Sequence, residues 1–156
     1  MYIRAIFVTA CCLYSYCKEV DISLGEGAKA YIVLQDDQTV MYMYGCFSCH
    51  YDKNWGEPVD CDGLITIQKE CFQEAEIHQK LKRMPSGRKR LVTKKIPVDV
   101  DYPTMIDKGL ITIENSKYAW NICSNGVDAM AYSVIRKILY EYQIDGKIPE
   151  LIGIYM

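Results

Sequence analysis

Hydrophobic and polar positions change period several times along the chain, and each change predicts an element. Tyr2 to Tyr16 is apolar on both alternating faces, with Ile6, Val8 and Ala10 on one side and Ala5, Phe7 and Cys11 on the other. Such a run reads as a strand buried on both faces, central in a sheet. GEGAK at 25–29 is turn material. AYIVL at 30–34 and TVMYMYGCF at 39–47 flank the short polar stretch QDDQ, which predicts a hairpin. On its second strand Val40, Tyr42, Tyr44 and Cys46 share one face, and Met41, Met43 and Phe47 share the other. The methionines and phenylalanine suit a core, so the tyrosine-bearing face is expected to be the more solvent-facing one.

DKNWGEPVDCDG at 52–63 reads as a loop punctuated by Gly and Pro. The pentapeptide GLITI then occurs twice, at 63–67 and 109–113, with different flanks, which predicts two similar strands. QKECFQEAEIHQKLKRM at 68–84 has helical period, placing Cys71, Ala75, His78 and Leu81 on one side, until Pro85-Ser86-Gly87 ends it. RKRLVTKKIPVDVDY at 88–102 reads as a strand whose Pro97 suggests an edge or a bulge. ITIENSKYAWNI at 111–122 predicts a hairpin turning at Asn115-Ser116. The clearest helix follows: Asn125 is the expected cap, and Val127, Ala131, Val134 and Ile138 form an apolar stripe widened by Met130, Ile135 and Leu139. Asp145-Gly146 stops it, and LIGIYM is a last short strand. The expected architecture is α+β: one domain over 1–156, a two-layer sandwich with a mostly antiparallel sheet of about six strands and two helices on one face.

Composition adds little, because half the residues are apolar and 24% are charged, an ordinary globular balance. Charge distribution adds more. The net charge is −2, yet KLKRMPSGRKRLVTKK at 80–95 holds eight Lys or Arg and no acid, which leaves the other 140 residues at −10. The molecule is therefore an acidic body with one basic segment. The segment from Lys80 to Lys95 could serve as a basic patch for nucleic acid or phosphate, but the acidic balance of the rest argues against direct binding of nucleic acid and favours a basic protein partner.

Eight cysteines, at 11, 12, 17, 46, 49, 61, 71 and 123, raise the question of redox state. Only four residues separate Arg4 from Thr9, too few for the apolar core of an export signal, and the run is too short to span a bilayer. The expectation is a cytoplasmic protein with reduced thiols and no membrane contact. In that setting the C-x-x-C-H spacing of Cys46, Cys49 and His50 does not attach haem. With Cys61 the same residues could form a Cys₃His metal set, or a cysteine- and histidine-dependent enzyme. The sequence holds no phosphate-binding loop, dinucleotide fingerprint, nucleophile elbow or H-E-x-x-H.

There are thirteen tyrosines against three Phe and two Trp. Tyr42, Tyr44, Tyr51 and Trp55 cluster with Asp52 and Glu57. Stiff aromatic side chains with polar tips are common anchors of protein interfaces, so these six are the candidate partner contacts. A small acidic domain of this kind, with KECFQEAEIHQKLKRMPSGRKRLVTKKIPVDV as a charged helix running into a basic strand, resembles the immunity proteins of bacterial polymorphic-toxin and contact-dependent-inhibition systems. The segment covers about a fifth of the chain. The resemblance implies a non-catalytic cytoplasmic inhibitor that needs no cofactor. Such a protein neutralises a toxin domain, often a nuclease, by occluding its active site. It assigns no residue roles.

Overall fold

The computed structural model describes residues 25–48 and 59–155. The strand expected at 2–16 lies outside them.

Among the described residues seven strands and two helices follow in the order β1 (Glu26–Gln35), β2 (Thr39–Ser48), β3 (Gly63–Gln68), β4 (Glu76–Arg83), β5 (Lys89–Ile96), α1 (Tyr102–Asp107), β6 (Ile111–Glu114), α2 (Ala129–Asp145) and β7 (Leu151–Tyr155). Five strands make one sheet in the order β6-β3-β2-β1-β7, and β4 and β5 pair separately. Every pairing is antiparallel. The α+β class with an antiparallel sheet is as expected. The strands divide five and two because one expected helix is a strand.

The QDDQ stretch makes the β1–β2 turn, where Asp36 Oδ1 accepts from the backbone N–H groups of Gln38 at 2.8 Å and Thr39 at 2.7 Å. These bonds favour the ionised carboxylate and hold Asp36 below the ordinary aspartate value. A bulge between Ile32 and Leu34 offsets the register near that turn. The two GLITI copies lie side by side: Ile65 faces Ile113 and Ile67 faces Ile111 across the β3–β6 ladder.

α2 carries the expected stripe. Met130, Ala131, Val134, Ile135, Ile138 and Leu139 are all buried, against the sheet face formed by Ala28, Ala30, Ile32, Val40, Ile65 and Ile152. Its N-cap, however, is Asp128 and not Asn125. Asn125 instead accepts from the Val127 N–H at 3.2 Å, and its amide donates to the Tyr132 hydroxyl at 2.7 Å. Gly146 ends the helix at φ 72°, a left-handed conformation that glycine adopts without steric cost.

Three further expectations are corrected. The face assignment of β2 is inverted: Tyr42 and Tyr44 are 0% exposed, while Met41, Met43 and Phe47 on the opposite face are only half-buried. ITIENSKYAWNI is not a hairpin. β6 ends at Glu114, and the following loop is held by Asn115, which donates to Gly126 O at 2.7 Å and accepts from the Asp128 N–H at 3.0 Å.

The helix expected over 68–84 is a single 3₁₀ turn (Lys69–Cys71) followed by β4. Ile77, Gln79 and Leu81 alternate with His78, Lys80 and Lys82, so the segment satisfies a period of two as well as 3.6. Pro85-Ser86-Gly87 then closes a hairpin instead of stopping a helix, with Gly87 at φ 81° and a Met84 N–H bond to Arg88 O of 2.8 Å. His78, expected on an apolar stripe, is exposed and lies 3.0 Å from the Glu76 carboxylate.

Candidate functional site

Two arrangements combine chemistry with position: a buried polar cluster at the start of α2, and the β4–β5 ribbon.

The cluster begins with β2, whose inward face presents Tyr42, Tyr44 and Cys46 to the core. Ring and thiol satisfy the apolar requirement there, but their polar tips need partners. Tyr42 donates to Pro149 O at 2.7 Å. Tyr44 accepts from the Ser116 N–H at 3.1 Å and donates to Asp128 Oδ2 at 3.1 Å. Cys46 Sγ donates to the same oxygen at 2.9 Å. Asp128 Oδ1 accepts from the Met130 N–H at 2.9 Å, which caps α2. One buried carboxylate thus accepts a phenol, a thiol and a helix N–H.

Proton affinities follow from this burial. Desolvation pushes the Tyr42 hydroxyl well above its ordinary value, and the Glu141 charge adds to it. Desolvation does the same to Tyr44, partly opposed by the Ser116 N–H and reinforced by Asp128. The Cys46 thiol rises through burial first and its bond to Asp128 second. Cys46 is therefore held as a thiol donor, unlike the low-pKa thiolate a nucleophile needs.

All three groups bind their proton more tightly folded than unfolded. The stability they contribute is fully present below their ordinary values, 9.0 for the thiol and 10.0 for the phenols, and is lost as pH rises beyond them. Urea titrations should therefore show stability falling above about pH 9, by up to about 1.4 kcal/mol per pH unit for each ionising group. Tyr42→Phe should make that decline shallower. Constant stability from about pH 8 to 11 would contradict the buried cluster.

The candidate contact residues separate in the fold. Tyr42 and Tyr44 are in the core and offer no surface to a partner. Tyr51, Asp52, Trp55 and Glu57 lie outside the described residues, in the segment that leaves β2 at Ser48 and returns at Val59. At its return Asp60 and Asp62 hold Lys117 Nζ at 2.7 and 3.7 Å. Gly45 lies directly under Asp60: a Cβ there would sit 2.2 Å from the Asp60 carbonyl oxygen, so only glycine admits the close approach. Of the alternative metal set, Cys46 is engaged with Asp128, and Cys61 is half-buried near the carbonyl oxygen of Lys29. Cys49 and His50 lie outside the described residues. Among the described residues no three His, Cys, Asp or Glu side chains are grouped to hold a metal ion.

The ribbon is the surface feature that periodicity alone concealed. Every residue of β4, and every residue of β5 except Ile96, is exposed. Ile77, Leu81 and Leu91 are 63%, 62% and 53% exposed. An isolated two-stranded hairpin is marginal in water, so its attachment to the body matters. Both feet stand on the last turns of α2. Phe72, before β4, packs edge-on against Tyr142 at 5.1 Å. Beyond β5, Val98 exchanges two bonds with the Gln143 amide, at 2.7 and 3.0 Å. Lys95 Nζ donates to Ile144 O at 3.1 Å.

Beside the ribbon's exit, a cleft of about 770 Å³ runs between α2 and the 97–102 segment, with Asp99, Tyr102, Arg136 and Tyr140 on its walls. No helix among the described residues is long and apolar enough to cross a membrane. No family model matches the chain, and no curated protein or solved structure does so either.

Proposed function

We propose that the protein is a non-catalytic, cytoplasmic binding protein of the immunity type. It neutralises a toxin domain with a basic active-site groove, such as a nuclease, by covering that groove with an acidic, aromatic-rich surface. Segregation of charge in the fold carries this reading. The cations of 80–95 stand on a ribbon separate from the five-stranded sheet, and the other 140 residues of the sequence sum to −10. Such a body is steered electrostatically towards a basic partner, and aromatic anchors then slow dissociation. With Tyr42 and Tyr44 committed to the core, the contact set narrows to Tyr51, Asp52, Trp55 and Glu57, in the segment that returns at the carboxylates Asp60 and Asp62.

The reading predicts a toxin-like reading frame beside this one, and calorimetric titration against its product tests it. Tyr51→Ala with Trp55→Ala should weaken binding by at least about 100-fold, since two interface anchors are removed. Wild-type affinity in the double variant would remove this surface from the interface. Stoichiometric zinc in the purified protein, lost on Cys49→Ser, would replace the reading with the metal-centre alternative.

A further inference from the structure

We propose that the β4–β5 ribbon is a second binding surface, and that its ligand is duplex DNA, held in the major groove. The ribbon pairs Glu76 with Ile96 through to Arg83 with Lys89, eight rungs in all. At about 3.4 Å per residue it is about 27 Å long, and a two-stranded ribbon is an element that the major groove, about 12 Å wide, admits.

The alternation sorts its side chains. One face carries Lys80 and Lys82 from β4, with Arg90 and Lys94 from β5. Each edge of the ribbon thus has two long cationic side chains, one pair for each of the two phosphate strands that wall a groove. The other face carries Ile77, Gln79 and Leu81 opposite Lys95, Thr93 and Leu91. Apart from Lys95 at the base, whose Nζ is bonded to Ile144 O, this is a strip of apolar side chains and neutral hydrogen-bonding groups, of the kind that meets base edges and thymine methyl groups. Arg83 and Lys89 face each other at the tip, and Arg88 lies in the turn.

Cations on both faces fit an anionic ligand that surrounds the ribbon. A flat anionic surface would call for cations on one face only. Glu76 is the ribbon's one carboxylate, at its base and beside His78. The acidic body does not cancel this field at the tip, because charge is screened within about 8 Å at physiological ionic strength and the ribbon projects about three times as far. Charge complementarity therefore supports nucleic acid despite the net −2. The groove argument selects B-form DNA over A-form RNA, whose major groove is deep and narrow. The inference rests on residues 76–96 and uses none of the contacts of the inhibitor reading, so either stands if the other fails.

Fluorescence anisotropy of the full chain with a labelled duplex of about two helical turns tests it. Affinity should fall on the order of 10³-fold between about 50 and 200 mM salt if about six of the cations meet phosphate. Lys82→Glu with Arg90→Glu, an exposed cross-strand pair, should weaken binding at least about tenfold and reduce the salt slope by about 2. Leu81→Ala with Leu91→Ala should weaken binding with the slope unchanged. Circular dichroism of these surface variants should match wild type. Absence of binding at the lowest salt would overturn the proposal, as would equal binding of duplex RNA or single strands. Unchanged affinity in Lys82→Glu/Arg90→Glu would also overturn it. So would salt-sensitive self-association without DNA binding, which would assign the ribbon to the acidic body of a second copy.

Discussion

Tyr44→Ala should cost the fold about 4 kcal/mol or more, a large share of the roughly 5–15 kcal/mol by which a domain of this size is stable. Removing a fully buried aromatic ring costs about 3–5 kcal/mol through lost burial and the cavity left behind. Here the ring is 0% exposed, and Gly63 lies so close that a Cβ there would meet Tyr44 Cε1 at 2.3 Å. The hydroxyl adds to the loss, because the buried Ser116 N–H and the Asp128 carboxylate both lose a partner. Tyr44→Phe, which keeps the ring, should cost about 1–3 kcal/mol. The comparison is made by urea denaturation, reading the midpoint at constant slope. A wild-type midpoint for Tyr44→Ala would show that the tyrosine faces solvent, as its sequence pattern alone suggested.

The second large effect belongs to Asp128→Ala, expected at about 3–5 kcal/mol. It removes the cap of α2 and also leaves the Tyr44 hydroxyl and the Cys46 thiol without their acceptor. Loss of a helix cap alone costs about 1 kcal/mol, so a cost confined to that value would mean that the tyrosine and thiol bonds contribute nothing. Asp128→Asn separates the two contributions. Its oxygen can still accept from the Met130 N–H, while its amide presents a donor to a thiol that is itself a donor. Combining Asp128→Ala with Tyr44→Phe should cost clearly less than the two single changes added, because they break one shared bond.

The sequence was most readable where local chemistry decides the conformation. The β1–β2 hairpin follows from a polar turn with an aspartate, and α2 from its apolar stripe and terminal glycine. The pairing of the GLITI copies was half visible: two like strands were legible, their adjacency was not. The failures share a physical cause. Alternation along β2 separated its two faces but could not say which one is buried, since both are apolar enough for a core. What decided it was partners far along the chain: Pro149 for Tyr42, and Asp128 for Tyr44 and Cys46. Cap choice was ambiguous for a similar reason. Asn125 and Asp128 are both competent caps, and the side chain of Asn115 fixes the loop so that Asp128 enters the core. At 76–83 residues of good helix propensity also satisfy a strand's alternation, and pairing with β5 prevails. Of the candidate contacts, reading the sequence located the aromatic cluster but could not tell core tyrosines from surface ones.

The attachment of the ribbon has a mechanical consequence. Tyr142, Gln143 and Ile144 grip its two roots within three successive positions of α2. Anything that seizes the tip works a long arm against a short fulcrum, so torque is delivered to the final turns of this helix before it reaches the sheet. The opposite end is moored by Asp128 in the interior. The helix is thus the shaft through which an event at the tip would be felt by Tyr44 and Cys46.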